Sequence, residues 1–282
     1  MNITKIGIVG AGVIGAGIAE TAARQGLGVI LVETTKVQLE KAVETIRRGL
    51  KKAIGRKEVA EKDEDLIIGR VQLALDIQAL TKIDFVIEAV TEDERTKTDL
   101  FSKLHTVCPA PAIFASATSS LSITKLAKAS KRAPQVIGMH FMNPVPVMKL
   151  VEIVRGVQTA PETIQAAKSV AERMGKETVL AHDFPGFMVN RVIAPMINEA
   201  IYSLYEGVGS AQDIDRALKL GANHPMGPLQ LADLLGLDAV LNSLEMLHRQ
   251  FGNPKFSPCP LLVKYVEAGF LGRKTGKGFY EY

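Results

Sequence analysis

The chain has 282 residues, of which 47% are hydrophobic and 23% are charged, a composition typical of globular proteins. No apolar run approaches the roughly 18 residues that a membrane-spanning helix requires. The net charge of +4, from 34 basic and 30 acidic residues, is too small to indicate a nucleic-acid-binding protein. Because no signal-peptide pattern precedes the first strand, and because Cys108 and Cys259 lack metal-binding or disulfide spacing, we expect a cytoplasmic protein with no metal site and two buried thiols.

The first two thirds of the chain alternate short β-branched runs with segments of helical periodicity. This pattern predicts a parallel sheet with helices on both faces. The predicted strands cover residues 3–9, 29–33, 71–75, 85–89, 113–117, 136–141 and 148–154. The predicted helices between them cover residues 15–25, 36–54, 94–108, 122–130 and 162–174, and the charged segment 56–65 is assigned no element.

The alternation stops at the segment HDFPGF, residues 182–187, and every later segment has helical periodicity. The helices predicted there cover residues 188–205, 211–220, 228–250 and 260–268. Pro185 and Gly186 mark the boundary because both residues interrupt regular structure. We therefore predict an α/β domain over residues 1–184, with a doubly wound, mainly parallel sheet of the Rossmann type, followed by an all-helical domain over residues 185–282.

A glycine-rich turn joins the first predicted strand to the first predicted helix. Its glycines, Gly10, Gly12 and Gly15, have the GxGxxG spacing of dinucleotide-binding proteins. The first glycine permits a tight turn, the second lets the backbone approach a pyrophosphate, and the third lets helix and strand pack closely. We expect the phosphates to meet the free amides at the start of the helix, around Val13 and Ile14.

The second predicted strand ends at Glu33, which lies 18 residues after Gly15. An acid near this spacing accepts hydrogen bonds from the ribose hydroxyls of the adenosine and repels a 2'-phosphate. The sequence therefore predicts NAD rather than NADP as cofactor. The alternative is an exposed acid at a strand end with no binding role.

A candidate acid/base pair follows in the middle of the chain. His140 ends a predicted strand, and Glu152 comes 12 residues later in the next one, after a proline-containing turn. A carboxylate behind an imidazole fixes its tautomer and favours the protonated ring, so the pair can exchange a proton with a substrate. A histidine at a strand end also often has a purely structural role, and that alternative stays open at this point.

Several longer motifs carry a family resemblance that covers the whole chain. They are GAGVIGAGIA, ASATSSLSI, HFMNPVPVMKLVE, PGFMVNR and GRKTGKGFYEY. On these motifs the sequence resembles the (S)-3-hydroxyacyl-CoA dehydrogenases, and most of all their bacterial short-chain members. The resemblance implies an NAD domain of the Rossmann type, a helical second domain that forms a homodimer, and interconversion of 3-hydroxyacyl-CoA and 3-ketoacyl-CoA, here 3-hydroxybutyryl-CoA and acetoacetyl-CoA.

The resemblance also implies roles for single residues. His140 would be the general acid/base and Glu152 its orienting partner, and Ser119 and Asn190 would hydrogen-bond the reacting oxygen of the substrate. Taken singly, a serine-rich strand end is usually a helix cap, and an asparagine in a first helical turn is usually solvated.

Two further pairs of charged residues match the family. Glu92 and Lys97 correspond to positions near the nicotinamide ribose, although a surface ion pair is an alternative. Lys52 and Arg56 correspond to positions that bind the phosphates of coenzyme A, and they belong to a basic cluster that is otherwise interpreted as a solvated helix face. The cluster consists of Arg47, Arg48, Lys51, Lys52, Arg56 and Lys57.

One position departs from the family. Ala117 stands where the family motif has asparagine, so an amide that could donate and accept near the ligands is absent. Our hypothesis is that this alanine is either an engineered replacement or a variant residue that weakens turnover or ligand binding.

Two other functions are compatible with the same motifs. One is a related dehydrogenase acting on a sugar acid such as gulonate, which shares the His140 and Glu152 pair. The other is a dinucleotide-binding or structural protein with little catalytic activity, which only Ala117 favours. The basic cluster favours a coenzyme A ester.

Overall fold

The computed structural model describes residues 3–282, and the chain divides into two compact units, with Phe184 the last residue of the first and Pro185 the first residue of the second. The first unit is built on an eight-stranded sheet of order β3-β2-β1-β4-β5-β6-β7-β8. The strands are β1 (Lys5–Val9), β2 (Gly28–Val32), β3 (Val71–Ala74), β4 (Phe85–Glu88), β5 (Ile113–Ser116), β6 (Val136–Phe141), β7 (Leu150–Arg155) and β8 (Glu177–His182).

All neighbouring strands of this sheet run parallel except β6 and β7, which are antiparallel. The central strands are buried along nearly their whole length because helices cover both faces, which explains their continuous apolar sequences. The predicted fold class is therefore confirmed. The edge strand β8 was not predicted, because it is largely exposed and carries no continuous apolar run.

Six helices of the first unit flank the sheet. They are α1 (Val13–Arg24), α2 (Lys36–Gly55), α3 (Glu64–Gly69), α4 (Glu94–Val107), α5 (Ile123–Ala129) and α6 (Pro161–Arg173). The side chains of Thr35, Asp93 and Ser122 cap the first turns of α2, α4 and α5. The short helix α3 falls in and after the charged segment that was assigned no element, and only Ile67 of it is buried.

Helix α1 is buried on most of its surface, because it packs between the sheet and α2. Glu20 of α1 is 3% exposed, and a β-carbon on Gly49 of α2 would lie 2.0 Å from its Oε2 atom. Among residues 3–282, no group donates a hydrogen bond to Oε1 of Glu20. Burial raises the pKa of Glu20 to about 7, although the guanidinium of Arg24 opposes this shift.

The second unit is helical, as predicted from its periodicity. Its helices are α7 (Val189–Tyr205), α8 (Ala211–Gly221), α9 (Pro228–Leu235), α10 (Leu237–Phe251) and α11 (Pro260–Glu267). The single helix predicted over residues 228–250 is wrong, since Gly236 has a φ of +97° and separates α9 from α10. Apolar periodicity continues across this break because both helices bury the same core.

The C-terminal tail is attached to this unit by two buried carboxylates. Asp233 accepts hydrogen bonds from the backbone N–H groups of Phe279 and Tyr280, each at 2.9 Å. The hydroxyl of Tyr280 donates to Asp215 at 2.8 Å. A β-carbon on Gly278 would lie 1.9 Å from Oδ1 of Asp233, so the tail sequence GRKTGKGFYEY requires glycine there to reach the carboxylate.

Both cysteines are buried free thiols, as predicted. Within residues 3–282, none of the helices combines the length and the apolar character needed to cross a membrane.

Candidate active site

The turn between β1 and α1 has the geometry that the glycine spacing predicts. Gly10 has a φ of +103°, and a β-carbon there would lie 2.5 Å from the carbonyl oxygen of Ala89. A β-carbon on Gly15 would lie 1.8 Å from the carbonyl oxygen of Gly10, whereas one on Gly12 would meet no atom within 4 Å. The backbone therefore requires two of the glycines for its own packing and leaves the space at the third open.

This open space fits a pyrophosphate. Gly12 is the N-cap of α1, no side chain caps the helix, and no acid lies in its first turn. The free amides and the helix dipole therefore favour an anion at this point. The turn and its neighbours thus fit a dinucleotide.

Glu33 lies beside this turn, directly after β2. Its Oε2 accepts from the N–H of Ala11 at 3.0 Å, and its Oε1 accepts from the N–H of Thr34 at 2.7 Å. A cavity of about 420 Å³ adjoins it. The cavity lining combines apolar and polar side chains, including Leu75, Ile77, Val90, Thr96, Leu100 and Lys103. The carboxylate is thus held in a fixed orientation at the edge of a cavity of suitable size for one half of a dinucleotide.

His140 and Glu152 are brought together by the antiparallel pairing of β6 and β7, in which they are direct cross-strand partners. Nδ1 of His140 lies 2.6 Å from Oε2 of Glu152, and the side chains are 7% and 0% exposed. Because an ionised carboxylate can only accept, Nδ1 donates to Glu152, and proton exchange with a substrate would use the other ring nitrogen, Nε2. β6 runs parallel to β5, so His140 stands near the carboxyl edge of the sheet, where such folds bind ligands.

Lys97 and Glu92 also meet, with Nζ of Lys97 3.3 Å from Oε2 of Glu92. The two residues do form an ion pair, but only Glu92 is exposed at the surface, since Lys97 is 1% exposed. The ammonium group donates to Glu88 at 2.5 Å and to the carbonyl of Val90 at 3.1 Å. The lysine therefore lies beneath the carboxyl edge of the sheet and links two carboxylates.

None of the sequence motifs described above singles out Glu88. It ends β4 and is fully buried, and burial raises its pKa even though Lys97 acts in the opposite direction. The available signal was an acid inside the apolar run FVIEAV, followed by a lysine nine residues later.

The serine-containing turn after β5 is organised by Glu92. Its Oε1 accepts from the N–H groups of Ser119 and Ser120, at 2.9 and 3.1 Å, and from the hydroxyl of Thr118. Ser119 does not cap the following helix, since Ser122 performs that role. Ala117 packs at the margin of the apolar core.

Three further predicted residues belong to helices α2 and α7 or their ends. Asn190 is half-buried in the first turn of α7, in the second compact unit. Lys52 and Arg56 are exposed at the end of α2, and the N–H of Arg56 donates to the carbonyl of Lys52 at 3.1 Å, so they are one helical turn apart. The Nε of Arg56 also lies 2.9 Å from Oε1 of Glu58.

Comparison with known proteins identifies the family. Residues 5–184 match the NAD binding domain of 3-hydroxyacyl-CoA dehydrogenase, and residues 186–282 match its C-terminal domain. The cofactor is therefore NAD, as the glycine turn and Glu33 predict.

Similar proteins cover nearly the entire chain. A 3-hydroxybutyryl-CoA dehydrogenase of Bradyrhizobium diazoefficiens is 48% identical over 280 residues, covering 99% of this chain and 96% of the relative. The human mitochondrial hydroxyacyl-coenzyme A dehydrogenase is 38% identical, covering 99% and 91%. The crystal structure of (S)-3-hydroxybutyryl-CoA dehydrogenase PaaH1 from Ralstonia eutropha has a TM-score of 0.95 and 43% identity, covering 100% and 99%. On these matches, the chain belongs to the 3-hydroxyacyl-CoA dehydrogenase family.

Proposed function

We propose that the protein is an NAD-dependent dehydrogenase that interconverts (S)-3-hydroxybutyryl-CoA and acetoacetyl-CoA. The observation that carries this proposal is the buried pair of His140 and Glu152 near the carboxyl edge of a dinucleotide-binding sheet. The similarity to 3-hydroxybutyryl-CoA dehydrogenases at 42–48% identity supports the short acyl chain.

When bound, NADH supplies a hydride to C3 of the ketoacyl group. His140 donates the proton that the C3 oxygen then requires, and it accepts that proton back in the oxidation of the alcohol. Glu152 holds the hydrogen on Nδ1 and stabilises the imidazolium that forms during oxidation. Because this carboxylate is fully buried, its orientation is fixed before the substrate arrives.

Ser119 and Asn190 are proposed to donate hydrogen bonds to the C3 oxygen, where negative charge develops during hydride transfer. Lys52 and Arg56 are proposed to bind phosphates of coenzyme A, since both are exposed cations one helical turn apart. Glu92 and Lys97 are assigned to the region of the nicotinamide ribose.

The two units are proposed to divide these tasks. Residues 1–184 hold the cofactor, His140 and Glu152, and residues 185–282 contribute to substrate binding and form a homodimer. Large apolar side chains exposed on the second unit support the dimer. They include Val192, Val208, Leu220, Leu234 and Leu235. A monomer at micromolar concentration in sedimentation analysis would contradict the proposed homodimer. The proposed cytoplasmic location is tested separately by fractionation of the source cells.

The activity is tested by following NADH consumption with acetoacetyl-CoA, free acetoacetate and a keto sugar acid in parallel. We expect rapid oxidation of NADH with acetoacetyl-CoA alone. A preference for the sugar acid would indicate the related dehydrogenase class, and no turnover with any of them would indicate a binding protein. Replacing NADH with NADPH should lower the rate, because Glu33 repels the 2'-phosphate.

A further inference from the structure

A fully buried acid connects three elements at the carboxyl edge of the sheet. Oε1 of Glu88 accepts from Nζ of Lys97 at 2.5 Å and from the N–H of Val90 at 2.7 Å. Oε2 accepts from the hydroxyl of Ser116 at 2.6 Å. The carboxylate at the end of β4 therefore binds both α4 and the end of β5.

Lys97 carries this connection to a second acid. Its Nζ is shared between Glu88 and Oε2 of Glu92, with the carbonyl of Val90 as a further acceptor. Lys97 thus makes two hydrogen bonds, to Glu88 and Val90, and an additional ion pair with Glu92. Since Lys97 is 1% exposed, water cannot replace any of them cheaply.

Glu92 in turn shapes the segment that carries Ser119. Its Oε1 accepts from the N–H groups of Ser119 and Ser120 and from the Ser120 hydroxyl at 2.8 Å. Although burial opposes ionisation, the pKa of Glu92 lies below its usual value because Lys97 and these donors favour the charged form. The turn is thus built around Glu92, which pairs with Lys97, and Lys97 is in turn held by Glu88.

We propose that Glu88 is a positioning residue, which fixes Ser119 through Lys97 and Glu92 on one side and on the other through Ser116, whose hydroxyl accepts from the N–H of Thr118 at 3.3 Å. The proposal rests on the proposed function, because it takes Ser119 as the group that contacts the reacting oxygen. A hydrogen-bond donor displaced by even about 1 Å loses much of its effect on a transition state, so an acid that never touches the substrate can still govern the rate.

The first test does not depend on catalysis. Glu88→Gln keeps the shape of the side chain and removes its charge, so Lys97 is left with Glu92 as its only anionic partner. Hydrogen exchange measured by mass spectrometry should then be faster in the peptide that covers residues 117–121. The matched control is Glu20→Gln, a buried acid on α1 outside this cluster, which should leave exchange of that peptide unchanged. Unchanged exchange in Glu88→Gln would overturn the proposal.

The second test is a double-mutant cycle on kcat for acetoacetyl-CoA reduction. Glu88→Gln should lower kcat about tenfold with Ser119 present and less than about twofold in a Ser119→Ala background, since the group that it positions is then absent. Equal losses in both backgrounds would refute a role through Ser119. An inactive wild-type protein would refute the proposed function instead, while the exchange result would still decide whether Glu88 orders the turn.

A second variant covers the case in which Glu88→Gln does not fold. Ser116→Ala removes one hydrogen bond to Glu88 and keeps the ion pair with Lys97. Like Glu88→Gln, it should speed hydrogen exchange of residues 117–121 and lower kcat less in the Ser119→Ala background than with Ser119 present. Both effects should be smaller than those of Glu88→Gln. The proposal would also be overturned if the effects of Ser116→Ala and Ser119→Ala on kcat were additive and hydrogen exchange were unchanged.

Discussion

Replacing Glu152 by glutamine tests the acid/base pair directly. The substitution keeps the volume of a side chain that is fully buried on β7, which pairs with β6 and β8, so packing is preserved. It removes the charge that lies 2.6 Å from Nδ1 of His140. An amide can also turn its N–H₂ group toward Nδ1, which would place the imidazole hydrogen on the wrong nitrogen for proton donation.

The size of the effect follows from this hydrogen bond. A hydrogen bond to a charged group contributes about 1.5–3 kcal/mol, and about 1.4 kcal/mol corresponds to a tenfold change in rate. We therefore expect kcat for acetoacetyl-CoA reduction to fall by about tenfold to a hundredfold. The KM values for NADH and for the acyl-CoA should change little, since Glu152 is proposed to touch neither ligand.

The assay is steady-state NADH oxidation, with folding checked by circular dichroism and by the melting temperature. Glu20→Gln is the control, because it neutralises another buried acid of the same compact unit without touching His140. A kcat within twofold of the wild-type value in folded Glu152→Gln protein would refute the assignment of His140 and Glu152 as the acid/base pair. So would a comparable loss in the control.

Further predictions concern pH, the tail and the ligands. Burial raises the pKa of Glu20 to about 7, so its favourable contribution to stability is complete below about pH 4.5 and is lost as pH rises through 7. In urea titrations, the free energy of unfolding of Glu20→Gln relative to that of wild type should therefore increase by up to about 3 kcal/mol between pH 5 and pH 8. The same difference at both pH values would contradict this. Asp233→Asn should destabilise the second unit by about 1–3 kcal/mol in the same assay, because a neutral amide cannot accept all the donors of the tail; unchanged stability would contradict the role of Asp233 in attaching the tail. Lys52→Glu should raise the KM for acetoacetyl-CoA about tenfold and leave that for NADH nearly unchanged, whereas equal effects would indicate a structural role. Ala117→Asn should raise kcat/KM by about three- to tenfold, and unchanged kinetics would remove the hypothesis that alanine weakens the site.

Regular elements with a strong pattern were predictable from sequence. Strands such as β1 and β6 have continuous apolar runs because both of their faces are buried, and long helices such as α2 have a clear apolar periodicity. The weakly patterned elements α3 and β8 were not predicted, since few of their side chains reach the core. The break at Gly236 was also missed, because a positive φ is a property of the backbone that a single glycine in a helical pattern does not reveal.

Candidate site residues with a fixed local spacing could also be predicted from the sequence. The glycine turn was predictable from the spacing of its three glycines along the chain, and a 12-residue separation across two strands was enough to suggest that His140 and Glu152 meet. The role of Glu88 could not be predicted in this way, because it depends on Lys97 and Ser116, which belong to a different helix and a different strand.

The amino-acid sequence alone determined the order of the elements, the dinucleotide turn and the choice of NAD, because the first two depend on residues that are neighbours along the chain and the third on an acid at a regular spacing after the turn. Only the tertiary structure decided which charges are buried and which partners they share. Lys97 is consistent in sequence with a surface ion pair, yet it lies beneath the sheet edge between two carboxylates. The physical reason is that burial and electrostatic coupling depend on distances between strands and helices, and those distances exist only once the chain has packed.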